Sequence, residues 1–201
     1  MLTLAIETAG NACSIALLSG DTVIAERHEN VGRGHAERLI PWIAKLPEGG
    51  RADRIIVGCG PGSFTGVRIG IAAARALGLG WGVPVSGVSS LALVAADCPA
   101  DQFIVAIEGG HSELLVQQYS RKPLRVDSDF VSLTPEAAAA AMRIEVVAGA
   151  GAERLIAARG YGTALAAEAR AANIALLPAE IMSLIPRPLY GRAPDAKPMA
   201  Q

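Results

Sequence analysis

Val57-Gly58-Cys59-Gly60-Pro61-Gly62-Ser63-Phe64-Thr65-Gly66-Val67-Arg68 is the stretch on which the fold turns. The apolar run Ile55 to Gly58 reads as a short buried strand, and Gly-Pro-Gly breaks it before a Ser/Thr-led helix start. A strand passing through a tight glycine turn into a helix is the signature of an α/β crossover. Two readings of the turn stay open. In one, Gly60, Gly62, Ser63, Thr65 and Gly66 form a phosphate or anion cradle, because glycines admit close backbone approach and a helix N-terminus offers free N–H donors. In the other, Ser63 or Thr65 caps the helix and the glycines only make the turn. The GK[ST] ending of a P-loop is absent.

The helix that follows places Gly66, Gly70, Ala74 and Gly78 at four-residue spacing, one stripe of small residues along one face. Each glycine inside a helix costs roughly 1 kcal/mol relative to alanine, so the stripe signals something packed very close. That something is either the domain's own sheet or a second helix across an interface. Upstream, β-rich runs at Leu2 to Ile6, Ala12 to Leu18 and Thr22 to Arg27 are separated by the turn groups TAGN and SGD. A helix with Leu39, Ile40, Ile43 and Leu46 on one face comes next. Downstream come a short strand at Pro84 to Ser86, a helix at Ser89 to Ala96, and a breaker at Asp97 to Asp101.

The programme then restarts. Val105-Ala106-Ile107-Glu108-Gly109-Gly110 echoes Leu4-Ala5-Ile6-Glu7-Thr8-Ala9, Leu114 to Tyr119 answers the second strand, and Leu124 to Val131 the third. Pro135 to Met142 answers the first helix, and Ile144 to Gly151 the strand-to-glycine turn. An α/β fold of duplicated halves with mixed sheets is the expectation, divided as 1–98, 99–185 and an extended proline-punctuated tail over 186–201.

Composition bounds the chemistry. The 201 residues are 51% hydrophobic and 18% charged, with 22 Gly and 12 Pro, which supports a real core and excludes a disordered chain. A net charge of -1 argues against tight, unaided binding of tRNA or DNA. Cys13, Cys59 and Cys98 show no CxxC spacing, so neither a disulfide framework nor a zinc site is expected, and a reduced cytoplasmic setting fits. The opening MLTLAIE reads as a strand start rather than a signal peptide, and Arg68 and Arg75 interrupt the apolar run from Gly66 to Val85, so it is not a membrane span. Four residues after His35 stands Leu39, not a second histidine, and His28 and His111 also lack a helically spaced partner, so no metal site is expected. Glu7 and Glu108 each end a first strand, where a carboxylate either holds a hydrated metal near a phosphate or satisfies its own turn. No catalytic residue can be assembled from nucleophile, base and acid spacings.

GPGSFTGVRIGIAAARALG, with the opening AIETAGNACSIALL, RGHAERLIPWI, GVSSLALVA and the tail PLYGRAPDAK, resembles the TsaB (YeaZ) family. These bacterial proteins are required for the threonylcarbamoyladenosine modification of tRNA. In residues 106–113, reading AIEGGHSE, the chain departs from the aspartate and paired arginines usual in that family. The resemblance implies two ribonuclease H-like halves in an actin, Hsp70 and sugar-kinase (ASKHA) fold. It also implies a non-catalytic subunit that pairs with the transferase subunit TsaD, works with the ATPase TsaE, meets tRNA only through the complex and self-pairs when alone. ATP or ADP with magnesium enters at the level of the complex. The implied partner surface is the first-half helices, giving His35, Arg38, Leu39, Trp42, Gly66, Gly70, Ala74 and Gly78. An older label for such proteins, M22 glycoprotease, and the kinases of the same fold supply the enzymatic alternatives.

Overall fold

Strand β1 (Leu2–Glu7) is buried on both faces, Leu4 and Ile6 to one side and Ala5 to the other, as its unbroken apolar run requires of a central strand. The computed structural model describes residues 1–191. β1 pairs antiparallel with β2 (Ala12–Ser19), which pairs with β3 (Thr22–Asn30). On its other side β1 pairs parallel with β4 (Arg54–Gly58), and β4 with β5 (Val85–Val88). The crossovers are α1 (His35–Ile43) between β3 and β4, and α2 (Phe64–Trp81) between β4 and β5. After α3 (Ser90–Ala96), β6 (Gln102–Glu108) and β7 (Leu114–Ser120) begin a second sheet, and β8 (Arg125–Val126) and β9 (Val131–Leu133) both pair β7. α4 (Pro135–Ala141), β10 (Val146–Ala148), α5 (Ala152–Arg159) and β11 (Thr163–Leu165) complete it.

The sheet orders are β3-β2-β1-β4-β5 and β11-β10-β6-β7-β8, the same winding in each half. These are two ribonuclease H-like units, and the repeated order of elements read from the sequence reflects them. Two differences stand out. The expected third strand of the second half, Leu124 to Val131, is split into β8 and β9. Ser120 Oγ donates to Asp127 at 3.0 Å, Ser128 Oγ accepts from Gln118 N at 3.1 Å, and Ser128 O accepts from Gln117 at 2.9 Å, so polar side chains replace the ladder there. β11 belongs to no strand expected from the sequence, and the second sheet ends with it at Leu165, short of the 185 limit.

Five layers result. α1 and α2 cover the outer face of the first sheet through Leu39, Trp42, Val67 and Ile71. α4 and α5 cover the outer face of the second through Ala138 and Leu155. Between the sheets lies α3, buried at every residue, against Ala5, Ile56 and Val88 on one side and Phe103, Val105 and Tyr119 on the other. Burying each Leu or Val of α3 contributes roughly 1.5–3 kcal/mol, which makes this short helix the wedge that joins the halves. After β11 the chain returns to the first half: Ala171 N donates to Ser14 Oγ at 2.9 Å and Asn173 Nδ2 to Leu93 O at 2.8 Å.

The small-residue stripe of α2 faces its own sheet. A Cβ on Gly66 or Gly70 would collide with Thr8, and one on Gly78 with Val85, while Ala74 is fully buried. The expectation that Gly66, Gly70, Ala74 and Gly78 meet another chain is therefore corrected, because the close neighbour is the strand layer of the same half. Gly70→Ala is expected to lower stability by about 1–3 kcal/mol through overpacking, read as a reduced denaturant midpoint. An unchanged midpoint would mean that α2 stands off the sheet.

Candidate functional site

The turn quoted at the outset opens onto a cleft between the halves, and it is held there by the end of β1. Glu7 is 1% exposed. Its carboxylate accepts from the backbone N–H of Ala9 and, at 2.6 Å, from Ser90 Oγ at the start of α3. The carboxyl fills the space beside Gly58, where any side chain would collide with it. Burial pushes the Glu7 pKa up, and the hydrogen bonds from Ser90, Ala9 and Thr8 offset only part of that. Of the two roles open for Glu7, the geometry gives the turn-satisfying one.

The turn that Glu7 shapes then fastens α2. Thr8 Oγ1 donates to Gly66 O at 2.8 Å, and Ala9 O accepts from Ser63 N at 2.7 Å. Ser63 Oγ accepts from Gly66 N at 3.2 Å, so Ser63 is the helix cap, and Thr65 is exposed on the first turn. Gly60 adopts φ +85°, in the left-handed region that favours glycine, with Leu189 O 3.0 Å from where a Cβ would sit. Of the five cradle residues, Gly62 and Ser63 line the cleft and Gly60, Thr65 and Gly66 do not.

The cleft has a volume of about 1000 Å³ and draws glycine-rich turns from both halves, Gly10 and Gly62 from the first, Gly109 and Gly110 from the second. Its acids are engaged: Glu108 pairs with Arg154, and Glu168 with His28 at 2.9 Å. Among the described residues no lysine or arginine lines it. A magnesium nucleotide would find turns of suitable shape here but, among the described residues, no lining cation for its phosphates and no unpaired lining carboxylate for its metal, so the described residues do not fit that group. Among the described residues no three His, Cys, Asp or Glu side chains gather as a metal cluster. The three cysteines are buried, and burial pushes the Cys13 and Cys59 thiols up to about 11, away from nucleophile chemistry.

The expected partner residues on α1 divide. His35, Leu39 and Trp42 are buried against the first sheet, and Arg38 alone of the four is exposed. The three buried ones, His35, Leu39 and Trp42, are corrected for the same reason as the α2 stripe: the amphipathic face of α1 is spent on its own core. Two features of the region escape a reading of the sequence, the return segment that brings Glu168 to His28, and the seating of the tail on α2. Leu189 N donates to Cys59 O at 2.8 Å, and Tyr190 stacks on Phe64 with ring centres 4.5 Å apart. Residues 186–191 of the tail are thus packed on the body, and 192–201 lie outside the described residues.

Residues 23–175 match the family model of TsaD, tRNA N6-adenosine threonylcarbamoyltransferase. A solved structure, YeaZ from Pseudomonas aeruginosa, is 28% identical with a TM-score of 0.74, covering 92% of this chain and 98% of that one. A second, an uncharacterized protein with similarity to peptidase YEAZ from Pseudomonas aeruginosa, is 30% identical with a TM-score of 0.74 over 95% of this chain and 99% of the other. The tRNA threonylcarbamoyladenosine biosynthesis protein TsaB of Escherichia coli K12 is 38% identical over 130 residues, 60% of this chain and 56% of that protein. TsaB of Bacillus subtilis 168 is 40% identical over 104 residues, 48% of this chain and 44% of its own length. The chain thus aligns with about half the length of these curated relatives. No helix among the described residues is long and apolar enough to cross a membrane.

The buried acid sets a pH dependence. The folded chain holds the Glu7 proton more tightly than the unfolded chain, so above the ordinary value of 4.5 the unfolded state ionises first and stability falls as pH rises. Glu7→Gln should flatten that decline, which denaturant midpoints taken from mildly acidic to mildly alkaline pH will show. A parent and variant with parallel pH profiles would assign the decline to other groups.

Proposed function

The chain belongs to the TsaB (YeaZ) family, and from that premise we propose that it is a non-catalytic subunit of the machinery that makes N6-threonylcarbamoyladenosine in tRNA. Its role there is to bind and support the TsaD-type transferase. The observation that carries this reading is the state of the cleft. Glu7, the acid nearest the glycine turn, is withdrawn and hydrogen-bonded, the other acids are paired, and no nucleophile, base and metal set stands together among the described residues. A fold shared with enzymes does not itself assign activity. The peptidase and kinase readings lack such support, since each needs reacting groups at this cleft.

In this reading the partner surface is the outward side of α1 and α2, because their inward sides are consumed by the sheet. Arg38 and Ile40 stand on α1, and Leu79, 87% exposed, stands on α2. The same face serves self-pairing when the partner is absent, TsaE joins the assembled pair, and tRNA is reached through the complex in the cytoplasm.

Capture of the organism's own TsaD by tagged chain tests this. Ile40→Glu with Leu79→Glu should cut capture at least tenfold, about 1.4 kcal/mol or more, with folding intact by circular dichroism. Equal capture by the double variant would move the interface elsewhere, and no capture by the parent would remove the proposal.

A further inference from the structure

The outward row of α2 carries charge of one sign. Residues 60–82, and the tail residues 184–191 seated against them, contain Arg68, Arg75 and Arg187 and no aspartate or glutamate, in a chain whose net charge is -1. Helix positions seven and then four apart share a face, so Arg68, Arg75 and Leu79 stand in one row. The two arginines are roughly 10 Å apart along it, and Leu79 lies about one turn further on. The third arginine comes from the tail, which is fixed at two points. Leu184 pairs with Gly87 through backbone bonds of 2.7 and 3.1 Å, and Leu189 N donates to Cys59 O at 2.8 Å. Between these points Arg75 Nη2 donates to Pro186 O at 2.5 Å, beside Arg187, and Arg68 Nε donates to the Tyr190 hydroxyl at 3.0 Å. All three arginines are exposed, and none pairs with a carboxylate among the described residues. Arg68 and Arg75 are thus held in place by neutral groups, a hydroxyl and a carbonyl, which leave their charge uncompensated.

We infer that Arg68, Arg75 and Arg187 meet carboxylates of the TsaD-type transferase, so that the partner's contacting surface is acidic and the seated tail is part of the interface. The inference deepens the proposed assembly role and rests on it. A guanidinium offers planar, paired N–H donors that match a carboxylate, and it stays charged at any pH the protein meets. Phosphates would also match the charge, but the row continues into Leu79, 87% exposed, which a phosphate backbone would leave uncovered. An acidic protein surface with an apolar neighbour covers both. Exposed charges of this kind act over roughly a Debye length, about 10 Å at 0.1 M salt and 3 Å at 1 M, and they mainly raise the rate of productive encounter.

The test is the association rate of the full chain with the organism's own TsaD, followed by biolayer interferometry over a salt series reaching about 1 M. The parent's rate should fall at least about tenfold across the series. Arg75→Glu with Arg187→Glu should slow association at least about tenfold at low salt, and the two curves should converge at high salt, where screening removes the charge contribution. Arg75→Lys with Arg187→Lys keeps the charge and should keep the salt dependence. Arg187 makes no side-chain hydrogen bond or ion pair among the described residues, so Arg187→Glu alone repeats the charge test if the double variant unseats the tail. Charge variants that associate as the parent does at every salt, while Ile40→Glu with Leu79→Glu still loses capture, would overturn the inference and leave the assembly role standing. A defect of the double Glu variant that persists unchanged at high salt would overturn it as well, since the residues would then act through structure rather than charge. Charge variants that keep the parent's TsaD kinetics but lose low-salt binding of a labelled single-stranded RNA would assign the row to phosphates instead. Failure of the parent to bind TsaD at any salt would remove the assembly role and this inference with it.

Discussion

A single buried carboxyl organises the centre of the molecule. Glu7 ends β1, lies against Gly58 at the end of β4, and receives the hydroxyl of Ser90 at the start of α3. Three elements are thereby joined at one point. A polar group at this depth is costly unless it is hydrogen-bonded, and its partners are the backbone of the turn it ends and the wedge helix between the sheets. That turn fastens the glycine-rich segment through Thr8 and Ala9, and the segment starts α2. The position of α2, its outward face and the floor of the cleft follow from how the end of β1 is satisfied.

The same constraint withdraws the acid at the end of the first strand from the cleft. A carboxylate at the end of a first strand is well placed to hold a metal when it faces solvent. Here it faces inward, and desolvation favours its neutral form. The cleft keeps the shape of a ligand site, with glycine-rich turns from both halves, while its ionisable groups are engaged with one another. What the first half presents outward is instead surface: an apolar side chain on α2, arginines along α2 and the tail, and the aromatic stack between them. Surfaces of that kind suit a subunit that acts by contact.

Much of the architecture was legible because it is written in local periodicity. Continuous apolar runs marked β1 and β4 as strands covered on both faces, and the echo of AIE in the second half marked the duplication. The stripe from Gly66 to Gly78 was legible as a close approach, but four-residue spacing says only that something is near, and both its own sheet and a foreign helix satisfy it. The pairing of β7 with two short strands was hidden because Ser128 uses side chain and backbone to intercept the ladder. Contacts such as Arg68 to Tyr190, 122 residues apart, leave no local pattern at all. Glu7 was visible as a candidate, yet choosing between metal holder and turn acid required knowing that Ser90 and Gly58 close over it.

Reconstitution of tRNA threonylcarbamoylation from purified components, with each omitted in turn, tests the central claim that this chain acts by contact. The expected result is no product from the chain with tRNA and the threonylcarbamoyl donor, and product only when the TsaD-type transferase is also present. Modified tRNA formed by this chain alone, free of transferase, would contradict it.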